Sequence, residues 1–190
     1  MQIEKIEFGR FYHIFNRGNN SQDIFFEEEN YYYFLKLLVK YIIPVSEIYC
    51  YCLLRNHFHL LVRIKDVEDL VFSDFQFSPV EKPKIFDPSR QFSHFFNAYT
   101  LAVNKRYSRS GSLFEKPFER KMIEDENHLK QFILSIHNNP KHHDVVENIE
   151  EYKWSSYSTI LSESPTKIQR DKVLGYFDGR ENFALCHQNY

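Results

Sequence analysis

The sequence predicts an α+β domain, an antiparallel sheet with helices on one face. Three observations predict it. Strand and helix patterns alternate in the order strand, helix, strand, strand, helix, strand, helix, which suits an antiparallel sheet better than a parallel one. The stretch His57–Ile64 puts Phe58, Leu60, Val62 and Ile64 on one face of a strand, a wholly apolar set. Leu129, Phe132, Ile133 and Ile136 recur at i, i+3, i+4 and i+7, the stripe that packs a helix on a sheet. A chain of 190 residues suffices for one ordinary domain with an extension. We expect that domain over residues 1–160, with a loop insertion at about 66–90, and a C-terminal extension over 161–190 packed on it.

Phe11 to Arg17 forms the first strand, ended by the turn residues Gly18-Asn19-Asn20-Ser21. Glu27-Glu28-Glu29-Asn30 supplies an acidic helix start, and the helical spacing runs on to Ile43, where Pro44 stops it. Val45 to Leu54 and His57 to Ile64, joined by Arg55-Asn56, form a hairpin. Lys65 to Ser89 is acidic, carries three prolines and has no clean period, as an insertion would. A helix follows over Gln91–Tyr107, then a strand over Leu113–Ile123 interrupted by Pro117. Asn127–Asn139 is the next helix, with Pro140 marking its end. Trp154-Ser155-Ser156-Tyr157 and an amphipathic piece near Lys172–Phe177 belong to a segment folded back on the domain.

Composition narrows the function classes. A formal net charge of -2 argues against a protein that coats nucleic acid by bulk charge. Charge is nevertheless unevenly spread: Arg90 to Lys121 holds seven basic and two acidic residues, so a local basic stripe is expected. The aromatic share of 17% exceeds what a core of this size needs, which leaves rings for a surface that stacks against a partner. Three cysteines, with Cys50 and Cys52 in a strand, give neither a disulfide framework nor a zinc spacing. With no signal layout and no unbroken apolar span, a cytoplasmic location is expected.

Because Phe58, Leu60, Val62 and Ile64 belong in the core, His57 and His59 are turned together onto the opposite face, close enough to share one metal ion. Two imidazoles make a weak site, so a third ligand has to come from elsewhere. The competing reading is that of two polar surface residues on a strand.

Asn56-His57-Phe58-His59-Leu60-Leu61-Val62, with Tyr12-His13-Ile14-Phe15-Asn16-Arg17-Gly18-Asn19-Asn20 upstream, resembles the REP-associated tyrosine transposases and related small insertion-sequence transposases. The resemblance continues through Gly111-Ser112-Leu113-Phe114-Glu115-Lys116-Pro117-Phe118, Ile136-His137-Asn138-Asn139-Pro140 and Trp154-Ser155-Ser156-Tyr157. It implies a ferredoxin-like or RRM-like sheet whose His-hydrophobic-His strand presents magnesium or manganese. It further implies attack by a tyrosine hydroxyl on a phosphate of single-stranded DNA, and recognition of hairpins at repetitive extragenic or insertion-sequence ends. Related members act as dimers, which leaves a homodimer open.

In the family the tyrosine lies five residues before the proline, with a polar metal ligand four residues after it. Here those positions are Ser135 and Asn139, so the resemblance gives His57, His59 and Asn139 as ligands and Ser135 in the nucleophile's place. An aliphatic hydroxyl is less acidic, a poorer leaving group and shorter than a phenol, so impaired cleavage is expected. Tyr99, Tyr107, Tyr152 and Tyr157 are candidate substitutes, each with a packing role as the alternative. For DNA contact the candidates are His13, Asn16, Arg17 and Asn19 at the end of the first strand, and Arg106, Arg109, Lys116, Arg120 and Lys121 in the basic stretch. His137, His142 and His143 are expected at the surface. The rival function is a metal-free, non-catalytic RRM-like module that stacks bases on an open sheet face.

Overall fold

The computed structural model describes residues 5–70, 87–115 and 117–190. Its elements are β1 (Phe11–Arg17), α1 (Glu28–Tyr41), β2 (Ser46–Leu54), β3 (His57–Ile64), α2 (Pro88–Arg106), β4 (Glu119–Ile123) and α3 (Glu126–His142), then α4 (Tyr157–Leu161), α5 (Arg170–Tyr176) and α6 (Arg180–Gln188). The four strands form one antiparallel sheet in the order β2-β3-β1-β4, so the first and third strands lie at its centre.

Local chemistry sets the element ends. Glu27 and Asn30 form a reciprocal capping box at the start of α1, Asp87 caps α2 with Pro88 at its first position, and Asp125 accepts from the His128 amide at the start of α3. Gly18 closes β1 into its turn, where a Cβ would stand 1.9 Å from the Gln22 carbonyl oxygen, a space only glycine leaves open.

The apolar face of β3 lies, as its alternation requires, under α1 and α2, where Phe58 packs against Phe34 and Phe96. The other face is not open. Leu61, Cys50 and Cys52 are buried there beneath Leu129, Ile133 and Ile136 of α3, with Tyr157, Val173 and Phe183 of the C-terminal helices packed outside. The helices expected on one face are present, and a second layer adds to them, because the α3 stripe needs an apolar partner that only the second sheet face supplies.

Three local expectations are corrected. Pro140 lies inside α3, which runs on to His142; the single backbone bond that proline removes falls in the last turn, where its loss is tolerated. Leu113 to Glu115 does not join the strand: Phe114 makes an isolated bridge to Gly18, and β4 starts only at Glu119, after Pro117. The C-terminal segment forms three helices rather than one amphipathic piece. Most of the proposed insertion, residues 71–86, and Lys116 lie outside the described residues.

Among the described residues no helix is long and apolar enough to cross a membrane. The three cysteines are free.

Candidate metal centre

In the β1–β3 register Phe15 faces His59 and Arg17 faces His57, so side chains of both strands converge at one end of the sheet. The two imidazoles of β3 stand with ring centroids 5.3 Å apart. With Asn16, Arg17, Asn56, Glu115, Glu119, Asn139 and His143 they line a cavity of about 580 Å³. Two tight connections build it: Gly18 N–H donates to the Asn56 carbonyl at 2.8 Å, and Asn16 donates to the Glu115 carbonyl at 3.0 Å.

Each imidazole has one nitrogen already engaged. His59 Nδ1 lies 2.9 Å from His13 Nε2, and His57 Nδ1 lies 2.7 Å from the Asn56 carboxamide oxygen. If both Nδ1 atoms carry the hydrogen, both Nε2 lone pairs remain for a cation, the outer-sphere arrangement that fixes a metal-ligating tautomer. Protonation is suppressed as well. Burial, then His143 and Arg17, lowers the His57 pKa to about 4; burial, then the neighbouring histidines, sends His59 well below its usual value. His13 is lowered to about 4 by burial and by Lys121. Neutral imidazole is the form that ligates.

Asn139 approaches from α3. Its carboxamide nitrogen donates to the Ser135 carbonyl at 3.0 Å, which leaves the amide oxygen as a hard donor on the cavity side. Among the described residues no three His, Cys, Asp or Glu side chains are grouped so as to hold a metal ion. The donor set is instead two imidazoles and an amide oxygen, with the Glu115 and Glu119 carboxylates on the same walls. Imidazole nitrogens beside amide and carboxylate oxygens make a mixed nitrogen and oxygen donor set, of the kind that can hold a divalent cation.

Of the residues picked out by sequence, His57, His59, Asn139, Asn16 and Arg17 share this cavity. His13 supports it from beneath, between Phe15 and Phe132 at 4.8 and 4.9 Å. Ser135 is not among the lining residues; it sits one turn before Asn139 on the side of α3 that carries Phe132. Arg17 pairs with Glu115 at 2.8 Å on the rim. Lys121 follows His13 in register and rests over the Phe132 ring at 5.7 Å. Asn19 is exposed in the turn and held by its backbone to Leu113.

The remaining basic residues point elsewhere. Arg106 pairs with Glu27 between α1 and α2. Arg109 bonds Gln22 at 3.1 Å, and Arg120 lies over Phe118 at 4.2 Å beside a second cavity. None of the candidate tyrosines lines the histidine cavity: the Tyr99 and Tyr152 hydroxyls donate to backbone carbonyls, Tyr107 donates to Glu27, and Tyr157 is buried in the second core.

Sequence reasoning placed His143 at the surface, where it is, without seeing that it borders the cavity, and it did not pick out Glu115 and Glu119 as site residues. His143 was legible in principle, since it follows Asn139 by four residues and so shares its side of the helix end; its ring stands 4.8 Å from that of His57. The expectation that His137 is a surface residue is wrong: it is fully buried, between α3, α4 and α6.

No protein-family model matches the chain, and no curated protein matches it. Among solved structures the fold is similar to that of a REP-associated tyrosine transposase bound to a REP hairpin. The TM-score is 0.61 at 14% identity, over 87% of each chain. At that identity the likeness shows the fold alone, an α+β domain built on a four-stranded antiparallel sheet.

Proposed function

We propose that this chain binds folded single-stranded DNA at the histidine cavity, with magnesium or manganese held by His57, His59 and Asn139. The observation that carries the reading is the meeting of those three side chains, from two elements, in one cavity with Arg17 on its rim. The structural neighbour is bound to a REP hairpin, which supports a nucleic-acid hairpin as the ligand class. When bound, a divalent ion offsets negative charge on a phosphate and so lets the Glu115 and Glu119 walls tolerate the DNA backbone.

Arg17 orients a phosphate at the rim, and His13 and Asn56 keep the ligating imidazoles in one tautomer. Asn16, itself bonded to the Glu115 carbonyl, ties the rim to the 111–118 segment. The base-stacking rival requires an open sheet face; here α3 covers that face, with Phe132 against His13, so bases have no platform there.

Cleavage is the impaired step. A tyrosine at position 135 would lie between Phe132 at His13 and Asn139 in the cavity; serine's hydroxyl falls several ångströms short of where a phenol would reach, and is a poorer nucleophile and leaving group.

The test uses labelled single-stranded hairpins from the gene's own flanks with manganese. The unaltered chain is expected to shift the hairpin without forming a covalent band, and Ser135→Tyr to form one. In that product the phenol oxygen bonds phosphorus while the strand's 3′ oxygen leaves and takes a proton. A covalent band from the unaltered chain would overturn the impaired-cleavage reading. Loss of neither binding nor its manganese dependence in a His57→Ala, His59→Ala double variant would overturn the metal site.

A further inference from the structure

A chain of hydrogen bonds crosses the second core, away from the histidine cavity. The Tyr51 amide of β2 donates to Ser156 Oγ at 2.9 Å, and Ser156 Oγ lies 2.8 Å from His137 Nε2. His137 Nδ1 lies 2.9 Å from His187 Nε2, and His187 Nδ1 lies 2.7 Å from the Phe183 carbonyl. The Ser156 hydroxyl also lies 3.2 Å from the Tyr51 carbonyl, and its one hydrogen goes to His137 Nε2 at the shorter distance; with that choice one proton arrangement satisfies the four links of the series. The Phe183 carbonyl can only accept, so His187 Nδ1 carries hydrogen and, in the neutral ring, its Nε2 accepts. His137 therefore donates from Nδ1, accepts at Nε2 from the Ser156 hydroxyl, and the series ends on the Tyr51 amide. Every hydrogen runs in the same direction, from β2 to α6, with both imidazoles neutral.

His137 is fully buried, and His187 is 2% exposed at the edge of a cavity it shares with Asn138 and Lys141, so a lost partner leaves a His137 nitrogen cut off from solvent. His137 also stands two residues before Asn139, some 200° round the helix, which puts the polar grip on the back of α3 and the ligand on its front. The apolar stripe of Leu129, Ile133 and Ile136 holds α3 against the sheet but has no directional term to stop it rolling. A roll of ~10° moves a side-chain tip by ~1 Å at a helix's outer radius, enough to misplace a metal ligand.

We infer that His137 is a positioning residue for the candidate metal centre, and that Ser156 and His187 lock the roll of α3 so that the C-terminal helices set where Asn139 points. This rests on the metal-binding reading above. It gives the Trp154–Tyr157 segment and α6 a part in the site although neither lines the cavity.

The test compares His187→Phe, which keeps an aromatic ring but removes the acceptor, with His187→Gln, whose carboxamide can both accept from His137 and donate to Phe183. Ser156→Ala cuts the series from the other end. Amide hydrogen exchange over residues 136–142 reads the helix directly, and manganese affinity is read by electron paramagnetic resonance. In His187→Phe and Ser156→Ala, exchange over 136–142 is expected to quicken roughly tenfold and manganese to bind roughly tenfold more weakly, with His187→Gln restoring both to within about threefold. Unchanged exchange at 136–142 in both disrupting variants would overturn the inference, as would manganese binding that stays at the unaltered level while exchange quickens. Should the unaltered chain bind no manganese at all, the metal-binding reading fails and this positioning role fails with it; failure of the inference alone leaves the unaltered chain's manganese binding intact. If His187→Phe does not fold, Ser156→Ala against His187→Gln decides by the same two readouts.

Discussion

His13→Ala should weaken divalent-ion binding although His13 does not line the cavity. The imidazole of His13 is 9% exposed, and its Nε2 lies 2.9 Å from His59 Nδ1, where it accepts in the tautomer that leaves His59 Nε2 free to ligate. Truncation leaves that donor buried without its partner and frees the His59 ring to turn, so the Nε2 lone pair is no longer fixed toward the cavity. Removing an outer-sphere partner of a ligating histidine typically costs about 10- to 100-fold in metal affinity, which corresponds to about 1.4–2.7 kcal/mol. Stability falls too. An orphaned buried donor costs about 1–3 kcal/mol, and the lost ring contacts to Phe15 and Phe132 add about 1 kcal/mol. Isothermal titration with manganese, alongside urea unfolding, separates the two effects, since the affinity of the folded fraction can be measured in the absence of denaturant. His13→Gln, whose carboxamide oxygen can accept from His59, should recover much of the affinity. A folded His13→Ala protein that binds manganese as tightly as the unaltered chain would refute the argument that His13 fixes the tautomer of His59.

Gly18→Ala should lower stability by about 1–3 kcal/mol, because the new methyl would meet the Gln22 carbonyl at 1.9 Å and the turn would have to shift; thermal unfolding checks this. Since the turn carries Arg17, the same variant should bind the hairpin more weakly, read by gel shift. For pH, burial lowers the His187 pKa to about 4, against about 6.5 when unfolded, so the unfolded chain binds the extra proton first. Its contribution is fully present above about pH 6.5, declines as pH falls toward 4, and flattens below, a loss of about 2–4 kcal/mol. Its surroundings are His137 of α3 and Tyr157 of α4, with Lys141, Glu147 and Glu150 around the adjoining cavity. Urea midpoints from pH 7 to 4 should fall less steeply in His187→Gln, and equal slopes would contradict the assignment.

The strands and the central site were legible because their signals are local. Alternation in Phe58, Leu60, Val62 and Ile64 fixed which face of β3 is buried, and it left His57 and His59 no place but the other face. Asn139 was reached through resemblance to a motif rather than through periodicity. What stayed hidden depends on contacts between distant segments. His137 looks like a surface histidine beside His142 and His143 until α6 and Ser156 close over it, and no spacing within α3 announces a partner 50 residues away. The basic stretch was legible as composition but misleading as geometry: Arg106 and Arg109 are taken up by Glu27 and Gln22, because net charge along a sequence says nothing about which carboxylates and amides fold back upon it.

The Leu53 amide donates to the Trp154 carbonyl, the Ser156 amide to Tyr51 and the Gln169 amide to Ile48, so β2 has its outer row of backbone groups occupied by its own chain. A sheet of four strands ordinarily offers two borders to passing strands. Among the described residues this one offers β4 alone, five residues long and carrying Glu119, Arg120 and Lys121, which is a poor template for unwanted pairing. Among the described strands, β4 is thereby the border open to strand addition, and the long apolar strand that would otherwise invite aggregation is covered by its own chain.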